Sequence, residues 1–354
     1  MRIVRPKTMP DLKTLLSRTA GLVSTRRPAV RADDTPADTI ALDETTARPR
    51  TEPTARRWPA WLKTLSLDRS TVSASIEGTS LRIVSLTGQQ VVGWASIPLA
   101  SDLVRHGQIA NTADLGDVID EAFARLGLSR RRVAWALPGL QATARILELP
   151  GLTGERLREA VAEEIEQSLG AAADDSYLFW QRLEGRVRSR QVFVLVVPKS
   201  TVLNALETLE AADIHPYTMD LRSLALARAV GRRDAIIANL EDGSLDVAIV
   251  VHAVPALLRS IALPTINLEA AQNRLVDEID RALTFYDETN PSRPLAVDVP
   301  LYLTGRLATG ISLAEKARTI TGHPIGHPLP GFSYPPDFPV GEYLVNLGLA
   351  LKRQ

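Results

Sequence analysis

The chain has 354 residues, 45% of them hydrophobic and 23% charged, with a formal net charge of +0 and a pI near 7.0. That length allows two domains and a tail, and the balanced charge shows no basic excess of the kind nucleic acid demands. There is no cysteine, which excludes disulfides, thiolate metal sites and a cysteine nucleophile.

Residues 1–57 differ from the rest. Arg2, Arg5, Lys7, Lys13, Arg18, Arg26, Arg27 and Arg31 make the start basic, and Asp33, Asp34, Asp38, Asp43 and Glu44 form an acidic patch after it. Such a composition cannot bury enough apolar surface to offset chain entropy, so a disordered tail is predicted. Within it, Leu12, Leu15, Leu16, Ala20 and Val23 fall at helical spacing. Residues 10–23 have the pattern of a short amphipathic helix for an anionic membrane surface, although a marginal helix in a solvated tail is the preferred reading. Trp58 and Trp61 are expected to dock on the first domain. No apolar run reaches the ~20 residues of a spanning helix, and the longest, Val247–Leu258, is interrupted by His252 and Pro255. With no signal-peptide pattern either, a soluble body is expected, its membrane role peripheral or through a partner.

Thr71–Glu77, Ser80–Leu86 and Gln90–Pro98 read as strands with turns at Gly78-Thr79 and Thr87-Gly88, followed by a helix over Thr112–Leu126. Arg132–Pro138 reads as a buried strand and Gln141–Leu149 as another. Leu152–Leu169 is an amphipathic helix with Leu157, Val161, Ile165 and Leu169 on one stripe and Thr153 as its predicted N-cap. Tyr177–Leu183 and Gln191–Val197 read as paired strands and Thr201–Ala212 as a helix, a small inserted α/β unit. The chain returns through Ile214–Leu221 and a helix at Arg222–Val230. Ala235–Leu240, Leu245–Val251 and Ala256–Leu263 then read as three strands, the first turn carrying Asp242-Gly243, a strong hairpin signal. A helix over Asn267–Thr289, a strand at Pro300–Thr304, a helix at Ser312–Thr321, a Pro/Gly-rich loop at 322–341 and a helix at Glu342–Leu351 complete the chain. His323 and His327 read as solvated loop histidines, because Pro324 and Gly326 prevent a helix and no third metal ligand is near.

Strand, strand, strand, helix thus occurs twice, and a duplicated order is a stronger signal than any one strand. Two such halves resemble the actin, sugar-kinase and chaperone ATPase superfamily, where nucleotide phosphates lie between the two first hairpins. The expected fold class is α/β: an actin-like, two-lobed, duplicated ribonuclease H-like fold with an inserted α/β subdomain and a disordered N-terminal tail. The expected boundaries are 1–57 for the tail, 66–138 and 214–232 for the first lobe, 139–213 for the insertion and 233–341 for the second lobe. Residues 342–354 are expected to pack back on the first lobe.

Taken in order, SIEGTSLRIVSL (75–86), LPGLTGERLREAVAEEIEQSL (149–169), YLFWQRLEG (177–185), QVFVLVVPKSTVLNALETLEAADIHPYTMDLRSLALARAV (191–230), DEIDRALTFYDETNP (277–291), PLYLTG (300–305) and EYLVNLGLALKR (342–353) resemble the PilM family of type IV pilus assembly proteins. The resemblance covers about residue 70 to the end, and its specificity lies in the ordered set. It implies a cytoplasmic adaptor at the inner face of the cell membrane, binding the N-terminal cytoplasmic peptide of a PilN-like inner-membrane protein and meeting other pilus platform proteins. The implied peptide groove lies between the first lobe and the insertion. Leu157, Val161 and Ile165 are its candidates, although for most of these residues the insertion's own core is the preferred reading. Membrane association then runs through partners or residues 10–23, and no nucleic-acid partner is expected.

In that family the first hairpin carries an aspartate, a glycine two residues on and a basic residue on the second strand, and the second hairpin opens with Asp-x-Gly. Here the resemblance places Ser75, Glu77 and Arg82 in the first hairpin, Asn239 and Glu241 in the second, and Gly305 and Arg306 where a Leu-Thr-Gly-Gly turn faces the adenosine. Both aspartates are missing, and two glutamates stand where phosphates would sit. A carboxylate about 4 Å from a phosphate costs on the order of 1–4 kcal/mol. A pseudo-ATPase without a cofactor is therefore expected. ATP and magnesium belong to it only if a shifted hairpin register uses Gly78 and Gly243 instead. The competing readings are an active actin-like ATPase or sugar kinase, whose nearest candidate bases are Asp242 and Asp246, and a GspL-like type II secretion platform domain, which usually continues into a transmembrane helix that this chain lacks before Gln354.

Overall fold

The structure, a computed structural model, describes residues 70–105, 107–149, 151–183, 191–263 and 267–352. The expectations for the tail, for residues 10–23 and for Trp58 and Trp61 lie outside these residues.

β1 (Ser70–Glu77), β2 (Ser80–Thr87) and β3 (Gln90–Pro98) form an antiparallel meander, extended beyond β1 by the parallel strands β6 (Val133–Leu137) and β10 (Thr218–Leu221). A second sheet repeats this order and sense. β11 (Ala235–Glu241), β12 (Ser244–Val251) and β13 (Val254–Ala262) make the meander, and β14 (Leu301–Thr304) and β15 (Ile325–Gly326) add in parallel beyond β11. The repeat extends to irregularities, since the pairing register shifts after the sixth residue of β2 and after the sixth of β12. β15 was not predicted. Its loop reads as Pro/Gly-rich, but Gly326 fits flat on the Tyr302 ring, where a Cβ would come within 2.7 Å. His323 is not solvated: it is 6% exposed and its Nδ1 lies 3.0 Å from the Val299 carbonyl oxygen.

Helix α1 (Thr112–Leu126) is capped by the Asn111 side chain, which accepts from the Asp114 N–H, and ended by Gly127 in the left-handed conformation. Between β6 and β10 sits a three-stranded antiparallel sheet in the order β7 (Thr143–Glu148), β9 (Gln191–Pro198), β8 (Ser176–Arg182). α2 (Gly154–Leu169) covers one face of it and α3 (Lys199–Ala211) the other side. The period of two along β9 divides its apolar run: Val192, Val194 and Val196 meet α2, whereas Phe193, Leu195 and Val197 join the first-sheet core with α1 and α3. Thr153 stands at the N-cap of α2 in extended conformation but makes no cap hydrogen bond with its side chain.

α4 (Arg222–Val230) follows β10, α5 (Leu268–Thr289) follows β13, and α6 (Ile311–Thr321) lies between β14 and β15. The last helix, α7 (Leu344–Ala350), packs with α4 between the two sheets, in one cluster with Ala134 and Ala136 of β6 and Ile237 and Ala248 of the second sheet. No helix among the described residues is long and apolar enough to cross a membrane.

Candidate functional site

The first hairpins of the two sheets meet tip to tip. Each turn has two residues, Gly78-Thr79 between β1 and β2 and Asp242-Gly243 between β11 and β12. Gly78 has φ 59, and a Cβ on it would lie 2.6 Å from the Asp242 carbonyl oxygen. Only glycine allows both that backbone conformation and that approach. Thr79 Oγ1 donates to Asp242 Oδ2 at 3.3 Å across the same contact.

Behind the turns lies a cluster of five ionisable side chains, each at most 1% exposed: Glu77, Arg82, Arg222, Glu241 and Asp246. Arg82 Nη1 and Nη2 donate to the two oxygens of Glu241, both at 2.7 Å, and Nη1 also donates to the Glu342 carbonyl at 2.6 Å. This planar fork is the strongest ion-pair geometry open to arginine, and it joins one lobe to the other. Glu241 Oε1 accepts a further bond from the Arg306 N–H at 3.0 Å.

Asp246 holds in β12 the place that Arg82 holds in β2, opposite Asn239 as Arg82 is opposite Ser75. It accepts from Ser260 Oγ and lies 3.3 Å from Arg222 Nη2. Arg222 opens α4, donates to the Ile76 carbonyl at 3.2 Å, and stands 4.0 Å from Glu77 Oε2. Asn346 of α7 braces the first hairpin from beneath: its Oδ1 accepts from Ser75 Oγ, and its Nδ2 donates to the Ser73 and Arg82 carbonyls. On the other side Thr304 Oγ1 donates to Asn239 Oδ1 at 3.0 Å. Gly305, with φ 94, passes so close to Leu240 that a Cβ would be 2.4 Å from its carbonyl oxygen.

Neither oxygen of Glu77 receives a hydrogen bond among the described residues. Burial pushes its carboxyl up to about 7 from an ordinary 4.5, against the pull of Arg222. A protonated Glu77 leaves two arginines facing two carboxylates, a balance that suits a dry interior. The folded protein holds this proton where the unfolded chain releases it. The stability so gained is complete below about pH 4.5 and is lost as pH rises through about 7. In Glu77→Gln that loss, at most about 1.4 kcal/mol per pH unit, is expected to vanish from urea-unfolding curves. An unchanged slope contradicts the assignment.

Of the nine residues that the resemblance assigns to a nucleotide site, Ser75, Glu77, Gly78, Arg82, Asn239, Glu241 and Gly243 lie on the two hairpins that meet, and Gly305 and Arg306 lie against Leu240 and Glu241. Their chemistry differs from the expectation. Glu241 is not a bare charge facing phosphate, because Arg82 neutralises it. Arg82 is neither a free phosphate contact nor solvated. Asp246 is an ion-pair partner, and Asp242 is a turn residue.

The expected peptide groove at Leu157, Val161 and Ile165 is corrected. These side chains are 0%, 0% and 2% exposed beneath Val192, Val194 and Val196, and so form the insertion's own core. Arg222 and Asn346 were missed. Asn346 leaves a trace in sequence, the lone polar residue of LVNLGLA, whereas Arg222 shares its helix with Ser223 and Arg228 and leaves none.

Two sheets of identical order, with their first hairpins meeting tip to tip, define the actin-like class of two-lobed proteins. A family profile described as type IV pilus assembly protein PilM matches residues 73–263, more than half of the chain, and the chain belongs to that family. No curated protein matches. Among solved structures, the chain is similar to one titled a PilM-PilN type IV pilus biogenesis complex, with a TM-score of 0.66 and 22% identity over 80% of this chain and 98% of that one. That likeness is one of fold. Ethanolamine utilization protein EutJ from Carboxydothermus hydrogenoformans matches with a TM-score of 0.47 and 13% identity over 80% of this chain and 90% of its own. The cytoplasmic domain of EpsL, an inner-membrane component of the type II secretion system of Vibrio cholerae, matches with a TM-score of 0.47 and 10% identity over 80% and 96%.

Proposed function

We propose that this protein is a nucleotide-free adaptor of type IV pilus assembly. It works at the cytoplasmic face of the inner membrane, where it binds the N-terminal peptide of a PilN-like membrane protein. The observation that carries the nucleotide-free part is the buried Arg82–Glu241 fork, which joins the two hairpins that the family resemblance assigns to phosphates. Ser75 and Asn239 support it, being neutral where a hydrated magnesium ion calls for carboxylate. An ATPase using Gly78 in a shifted register has less support, because Gly78 is turned onto the Asp242 backbone.

For the peptide, support comes from family membership and from a cleft of about 610 Å³ between the first lobe and the insertion, lined by Asp102, Arg105, Ile109, Asn111, Asn204 and Glu207. Fluorescence anisotropy with a labelled N-terminal peptide of the PilN-like protein tests this. The parent is expected to bind, and Asn204→Trp, which fills the cleft, to weaken binding at least ten-fold with an unchanged melting temperature. Equal affinities would move the peptide elsewhere, and no binding by the parent would remove the adaptor reading.

A further inference from the structure

Strand β13 and helix α5 meet through one buried carboxylate. Arg259 alternates in β13 with Leu257 and Ile261, which pack on the core of the second lobe, and its side chain emerges on that same side, toward α5. Arg274, Glu278 and Arg281 are spaced by four and three residues along α5 and share one face of it. Glu278 is 0% exposed, beside the buried Leu275, Ile279 and Ala282. Its Oε1 accepts from Arg281 Nη1 at 2.7 Å and lies 2.7 Å from Arg274 Nη2, while its Oε2 lies 3.1 Å from Arg259 Nη2.

A buried carboxylate needs one cation to balance it, and this one has three. The arginines are 42%, 43% and 53% exposed, so the surplus of positive charge faces solvent. One carboxylate accepts about four hydrogen bonds, whereas each guanidinium offers about five. Donors therefore remain on all three side chains. The nitrogens of Arg274 and Arg281 that share Oε1 are both 2.7 Å from it and so no more than about 5.4 Å apart. Glu278 thus gathers like charges that would otherwise repel each other. Asp277, next to Glu278 on α5, is exposed and forms no ion pair with the three arginines.

We infer that Arg259, Arg274 and Arg281 form a binding site for a phosphate-class oxyanion, with Glu278 as the residue that positions them. Three cations against one carboxylate leave a charge that a phosphate dianion matches. Three guanidiniums gathered at one point also suit the several oxygens of a phosphoryl group better than the two of a carboxylate. Free phosphate and the headgroup of an anionic phospholipid share this chemistry. The site lies on the second lobe and is independent of the peptide cleft proposed above.

Calorimetric titration of the full-length protein with inorganic phosphate at pH 8, against sodium chloride of equal ionic strength, tests the site. Saturable binding is expected, weakened about ten-fold or more in Arg281→Gln, which loses a charge-assisted hydrogen bond. Arg259 and Arg274 still neutralise Glu278 in that variant, so its melting temperature in chloride should stay close to the parent's. Asp277→Asn, which removes the neighbouring negative charge, should tighten binding about two-fold. Arg26→Gln with Arg27→Gln, in the basic tail, should change nothing. Cosedimentation with phosphatidylglycerol vesicles separates the two sources. Lower vesicle binding by Arg281→Gln assigns the lipid headgroup, and equal vesicle binding beside saturable phosphate binding assigns free phosphate. No saturable phosphate binding together with equal vesicle binding would overturn the site and leave the arginines as a clamp between β13 and α5. So would a phosphate affinity that neither Arg281→Gln nor Asp277→Asn alters, or one that only the tail variant lowers.

Discussion

Arg82→Ala is expected to lower stability by about 3–5 kcal/mol, the usual loss when one partner of a buried ion pair is removed. Glu241 would stay in place, fully buried, holding only the Arg306 N–H of its three hydrogen bonds. The Glu342 carbonyl would lose the guanidinium that now donates to it, whereas the backbone carbonyl of residue 82 would keep its bond from Asn346. The loss reflects an orphaned charge and is not the net worth of the pair. Taking two ions out of water costs nearly what their attraction returns. The double variant Arg82→Met, Glu241→Leu is therefore expected to regain most or all of the loss. Urea-unfolding midpoints for parent, single and double variants make the comparison. A single variant within about 1 kcal/mol of the parent would mean that Glu241 finds water and the cleft is not sealed.

Gly348→Ala is expected to be the second severe change. Alanine in a helix interior ordinarily gains about 1 kcal/mol over glycine. Here α7 crosses α4 so closely that the new Cβ would stand 1.8 Å from the Ala225 carbonyl oxygen and 2.5 Å from its carbon. Both atoms are backbone within a helix, so no side chain can turn aside. The helices must part by more than 1 Å, at or beyond the upper end of the ~1–3 kcal/mol that overpacking costs. Because α7 carries Asn346, the displacement also withdraws its hydrogen bonds from Ser73, Ser75 and Arg82. Gly341→Ala, where nothing lies within 4 Å of the added methyl, is the control. Equal unfolding midpoints for the two variants would contradict the packing described for α7.

The lobes were legible because their signals are local. Gly78-Thr79 and Asp242-Gly243 mark hairpins, and the strand–strand–strand–helix order repeats. The conserved position of the register shift in β2 and β12 was not legible, since a bulge depends on the partner strand. The hairpin residues could be named, but their bonding could not, because it joins residues far apart in the chain. Arg82 and Glu241 are 159 positions apart, and nothing near either shows that they meet. The stripe Leu157, Val161, Ile165 illustrates the same limit from another side. Helical spacing identifies an apolar face but not what covers it. The unbroken run of Val192–Val197 carried the missing hint, since a strand apolar on both faces needs a cover on each.

The central claim is that an internal ion pair takes the place of nucleotide between the lobes. Calorimetric titration of the full-length protein with Mg-ATP tests it most directly. The expected result is no binding heat at micromolar protein and nucleotide, at pH 6 and at pH 8 alike, with Glu77 neutral or ionised. A micromolar dissociation constant, abolished by a substitution at Arg82 that leaves the protein folded, would contradict it.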